Sequence, residues 1–115
     1  MIIKKQIKVS VYEVTTSIYI VDEPNEIQKI VDKIVKNQNV LDTEGFVLDL
    51  SNRNYIICFM KKNISHNLIA HEVYHLGNHI CKNLDIIDEE ATAWVVGYVT
   101  ECIYKILSKN KIEIK

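Results

Sequence analysis

Residues 55–76 read YIICFMKKNISHNLIAHEVYHL, and two patterns follow one another within them. The run Tyr55-Ile56-Ile57-Cys58-Phe59-Met60 does not alternate, which is how a strand covered on both faces reads. Asn63 or Ser65 can then cap a helix whose apolar stripe is Leu68, Ile69, Val73 and Leu76. A doubly covered strand running into an amphipathic helix requires a sheet with helices packed against it.

Working back from that stretch, Ser51-Asn52-Arg53-Asn54 is a polar four-residue turn signal, and residues 46–50 form the strand before it. Near the amino terminus, Ile7, Val9 and Val11 alternate with Lys8, Ser10 and Tyr12, the period of a half-buried strand. A second apolar stretch, 18–21, follows Thr15-Thr16-Ser17, which suits either a hairpin or one long bent strand. Asp22-Glu23-Pro24-Asn25 then opens a helix, because proline is tolerated and acidic groups are favoured in a first turn. Ile27, Ile30, Val31, Ile34 and Val35 continue at helical spacing, with an end expected near residues 37–39.

Forward of the stretch, a polar break over residues 83–88 precedes a last helix. Its apolar stripe is Ala91, Trp94, Val95, Tyr98, Cys102, Ile103, Ile106 and Leu107, and residues 108–115 form a Lys-rich tail expected to fray. The order ββ-α-ββ-α-α describes an α+β fold, a small antiparallel or mixed sheet with three helices. With 115 residues, 48% of them hydrophobic, it suits a single domain over residues 1–115.

Charge and composition exclude several function classes. Fourteen basic against fifteen acidic residues leave a net charge of −1, and Arg53 is the only arginine, so nucleic acid is a poor partner. No run approaches the ~18 apolar residues of a membrane helix. The amino-terminal lysines are not followed by the apolar core of a secretory signal. Cys58, Cys81 and Cys102 are odd in number and lack CxxC spacing, as expected of free thiols in the cytoplasm. Cys58 and Cys102 read as small buried hydrophobes.

Chemistry concentrates in His71-Glu72-Val73-Tyr74-His75, an HExxH sequence on the middle helix. Residues i and i+4 share a helix face, so both imidazoles can reach one ion at about 2.0–2.1 Å. Glu72 stands where a carboxylate can activate bound water. Catalytic zinc usually takes a third protein ligand. Glu90, fifteen residues after His75, is one candidate and Glu89 the other, since one residue of helix register decides between them. Asp88-Glu89-Glu90 is equally an ordinary acidic helix start. His79 lies about 12 Å along the axis from His71, too far for a straight helix to bring both to one ion. It is read as a rim residue, and His66 as a helix-start residue.

His71-Glu72-x-x-His75 with Glu90 resembles the zincin metallopeptidases, specifically the thermolysin-like gluzincin branch. The likeness extends to Ala70 before the first histidine, Ala91 after the glutamate, and Gly97 and Glu101 seven and eleven positions on. It covers about residues 69–101, and compact proteins of this layout are common in bacteria and phages. The resemblance favours Glu90 over Glu89 and implies that Gly97 marks a close approach of two active-site helices. It also implies that the strand before the motif helix, residues 55–60, lies beside the cleft, where an extended peptide adds as a further strand. Trp94 departs from the pattern, standing where that family has an aspartate that orients the first histidine. The large second lobe is missing as well. Tyr74, Tyr98 and His79 are candidate donors to an oxyanion.

The expectation is therefore a zinc-dependent metallopeptidase: His71, His75 and Glu90 bind Zn²⁺, and Glu72 is the general base. The substrate would be a protein or peptide, with no nucleic-acid or membrane partner. The alternative is a zincin-like module that binds a protein partner without cleaving it.

Overall fold

The computed structural model describes residues 2–33 and 43–115. In chain order the elements are β1 (Ile2–Val9), β2 (Val14–Val21), α1 (Pro24–Asp32), β3 (Gly45–Asp49), β4 (Asn54–Met60), α2 (His66–Asn83) and α3 (Glu89–Lys109). The fold is α+β, with four strands in one mixed sheet ordered β1-β2-β4-β3. The outer pairs are antiparallel, while β2 and β4 run parallel, with Ile18 opposite Ile57. Parallel neighbours need a long crossover, which here runs through α1 and β3.

The non-alternating run 55–60 has the predicted cause: β4 lies between β2 and β3, and helices cover both of its faces. Tyr55, Ile57 and Phe59 point into the larger core with Ile69, Val73 and Leu76 of α2 and Val95 and Val99 of α3. Ile56, Cys58 and Met60 point the other way, onto Ile27 and Val31 of α1. All six residues of the run are buried. Burial pushes the Cys58 thiol up to about 12, so it is a protonated packing group rather than a nucleophile. All three cysteines are free; Cys81 is also buried and Cys102 half-buried.

Local chemistry explains the element ends. The Ser65 hydroxyl, rather than Asn63, caps α2 by accepting from the Leu68 amide at 3.0 Å. Asp88 does the same for α3, accepting from the Glu90 amide at 3.0 Å. Both helices close with the same device. Asp85 (φ 57°) and Lys111 (φ 53°) take the left-handed conformation just past the C-caps. The Ile86 amide then donates to Cys81 O, and the Ile112 amide to Leu107 O.

Several sequence expectations shift. β1 starts at Ile2 and ends at Val9, and Val11 lies 69% exposed in a short 3₁₀ turn, so the amino-terminal segment is a hairpin. The predicted Ile34, Val35 and helix end at 37–39 lie outside the described residues. The segment 108–115 does not fray from Ser108. Helix α3 continues to Lys109, Ile112 is buried, and the Lys115 amide donates to Ile64 O at 2.8 Å. Among the described residues, no helix is long and apolar enough to cross a membrane.

Candidate functional site

The HExxH residues occupy the middle of α2, whose position is set by its buried face. Ile69, Val73, Leu76 and Ile80 face the sheet, and His71 and His75 project on the opposite, exposed side. The two rings meet edge to face, with Nε2 atoms 3.2 Å apart. Two nitrogens on one tetrahedral ion at about 2.0–2.1 Å stand about 3.3–3.4 Å apart, so this pair is spaced for a shared metal. The same distance allows a hydrogen bond between one protonated and one bare nitrogen.

Glu72 lies between them in sequence but on the buried side, only 7% exposed. One carboxylate oxygen stands 3.9 Å from His71 Nε2. Gly45, at the start of β3, makes room for it: a Cβ there would sit 3.3 Å from Glu72 Cγ and 3.0 Å from the Cys58 carbonyl. Burial raises the Glu72 pKa, and the two histidines act in the opposite direction. The carboxyl therefore holds a proton more readily than an exposed glutamate does.

A cleft of about 390 Å³ opens beside Glu72, lined by His71, Leu68, Asn67 and Ser65 of the helix side and by Glu44 and Gly45 at the β3 edge. Sequence reasoning missed Asn67 and Gly45. Asn67 is four residues before His71, on the same helix face, so its spacing was a usable signal. Gly45 directly precedes the strand read over residues 46–50, and nothing local in the sequence ties it to Glu72.

The third ligand is where structure and resemblance part. Among the described residues, no three His, Cys, Asp or Glu side chains cluster as a metal site. Glu89 and Glu90 are exposed in the first turn of α3 and do not join the histidine pair. The reason is helix register. At 100° per residue, the side of α3 that meets α2 is defined by Val95, Val96 and Val99, with Val96 against Gly77. Glu90, Trp94, Gly97 and Glu101 fall together on the far side, and all four are exposed. Gly97 is thus not the close-packing glycine, since nothing lies within 4 Å of a Cβ placed there. Gly77 is, with Val96 Cγ2 at 2.7 Å from such a Cβ.

The remaining candidates have other occupations or none. Tyr98 stacks on Trp94 at 5.6 Å, and its hydroxyl donates to the Lys8 carbonyl at 3.2 Å, away from the cleft. His66 Nδ1 is 2.6 Å from the Tyr104 hydroxyl, tying the start of α2 to α3. Tyr74 and His79 are exposed and do not line the cleft, although the Tyr74 ring is 6.4 Å from that of His75. Residues 55–60 do not border the cleft as a free strand either, because β4 is paired on both sides; the edge beside α2 is β3.

The donor set therefore fits a divalent ion in part. Two imidazole nitrogens are correctly spaced, and among the described residues no third His, Cys, Asp or Glu joins them. Comparison with protein-family models, with curated proteins and with solved structures returns no match.

Proposed function

We propose that the chain is a metal-dependent peptide hydrolase in which His71 and His75 hold Zn²⁺ and Glu72 is the general base. The observation that supports this best is the placement of Glu72: a buried carboxylate bordering an open cleft, beside two imidazoles spaced for one ion. A bound zinc would supply polarisation of a carbonyl and of water. The residues' own parts are more specific. Glu72 takes a proton from water in the cleft and returns it to the departing amine, and burial raises its proton affinity toward the value a general base needs. The β3 edge offers unpaired backbone groups to an extended peptide, and Gly45 keeps that approach open next to Glu72. The cytoplasm suits three free thiols.

The outward face of Glu90 favours a second reading, in which the cleft binds a protein segment without cutting it. One experiment separates the two: zinc content of the purified protein, followed by cleavage of a mixed peptide library by native and Glu72→Gln protein. Zinc-dependent cleavage that vanishes in Glu72→Gln supports the hydrolase. Stoichiometric zinc with no cleavage supports the binding module. No zinc after reconstitution ends the hydrolase reading.

A further inference from the structure

The opposite edge of the sheet, far from β3 in strand order, carries a second feature of different chemistry. β1 pairs only with β2, so its other side is unpaired. Beside it runs a groove of about 330 Å³ between β1 and the C-terminal half of α3. Its floor is apolar, made by Ile3, Ile7, Cys102 and Ile106, and Lys4, Lys5, Lys105 and Lys109 stand around it. A chain of net charge −1 thus gathers four of its lysines on one groove. Glu101 holds Lys105 at 2.9 Å, while among the described residues no carboxylate pairs with Lys5 or Lys109.

We infer that this edge docks an extended peptide strand in which apolar residues alternate with Asp or Glu. Strand addition satisfies the unpaired backbone groups of β1. Side chains of an added strand alternate between faces, so every second one enters the apolar groove. The others stand on the outer face, across from Lys4 and Lys8, where opposite charges on neighbouring strands are favourable. Tyr98 already donates to the Lys8 carbonyl, which leaves the stretch before it as the open edge. A second copy of this chain is a poor occupant, because two β1 edges would bring Lys4, Lys5 and Lys8 against their own kind.

The test uses the native chain and fluorescent octapeptides. One probe alternates Val and Glu, a second alternates Val and Lys, and a third is the Val–Glu peptide N-methylated at alternate residues. Expected are saturable binding of the first that weakens with salt, at least tenfold weaker binding of the other two, and amide shifts in β1 but not β3. Lys4→Glu/Lys8→Glu should lower affinity for the Val–Glu probe about tenfold and improve the Val–Lys one. Equal binding of the N-methylated probe, shifts at β3, or uptake only of anionic lipid vesicles would each overturn the inference. Because the shifts are mapped to one edge, failure here leaves the reading of the cleft untouched.

Discussion

Helices α2 and α3 carry the two halves of one resemblance, and the fold treats them oppositely. On α2, His71 and His75 meet at 3.2 Å with the buried Glu72 beside them. On α3, Glu90, Gly97 and Glu101 keep their mutual spacing and share a face, but that face is turned to solvent. Spacing decides which residues lie together on a helix. It does not decide which way they point, because direction follows the strongest apolar stripe. On α2 the stripe of Ile69, Val73 and Leu76 leaves both histidines on the exposed side, with His71 lining the cleft. On α3 the stripe of Val95, Val99 and Ile103 sends Glu90 away.

The largest expected effect tests that contrast directly. His71→Ala and His75→Ala should each weaken zinc binding by more than about a hundredfold, the loss of one of two nitrogen donors. Glu90→Gln should leave it within about twofold. Loss of zinc in Glu90→Gln, read by metal analysis and competition with a chelating dye, would show that α3 turns on metal loading and would break the comparison.

The two helical glycines give the next effect. Gly77→Val drives a branched side chain into Val96, where even a Cβ has only 2.7 Å, and should cost about 1–3 kcal/mol by overpacking. Gly97→Ala meets open space in mid-helix and should stabilise by roughly 0.5–1 kcal/mol. Urea unfolding of the two variants measures both signs, and a destabilising Gly97→Ala would mean that the exposed face of α3 is covered by something.

Much of this was legible in the residues. The doubly covered run 55–60, the four-residue turn after β3, a cap at Asn63 or Ser65 and the helical placement of HExxH all follow from short-range chemistry. What failed was rotational. Helical spacing places Trp94 in the apolar stripe, yet it is 52% exposed, whereas Val99, outside that stripe, is fully buried. Ala91, Trp94, Tyr98 and Cys102 obey helical spacing as well as the true core does, so apolar content alone could not choose between adjacent stripes. The tail was unreadable for another reason: Ile112 and Ile114 are isolated apolar residues among charges, and the left-handed Lys111 turns Ile112 inward.

A smaller effect concerns Glu72 without metal. Its folded pKa is raised, so the folded state binds more protons than the unfolded state between the unfolded and folded values. Its contribution to stability is intact below the unfolded value near 4.3 and declines as pH rises through the folded one. Glu72→Gln removes that penalty. The metal-free variant should unfold at higher urea than native protein at pH 7 and at nearly the same urea at pH 4. A variant less stable at pH 7 would place a favourable partner on the carboxylate that outweighs its burial.

The smallest effect is the most pointed. Trp94 stands where the resemblance to thermolysin-like enzymes leads one to expect an aspartate that orients the first histidine. Such a partner is worth about 10–100-fold in metal affinity when it reaches the ligand. Here Trp94 is exposed and stacked on Tyr98, on the same face as Glu90 and Gly97, so Trp94→Asp puts its carboxylate in water rather than against His71. Zinc affinity should stay within about twofold of native. The loss of one exposed stacking contact should cost no more than about 0.5–1.5 kcal/mol of stability. A tenfold gain in zinc affinity would mean that this face of α3 reaches the histidines in the metal-bound protein, and that the difference between the two helices belongs to the metal-free state alone.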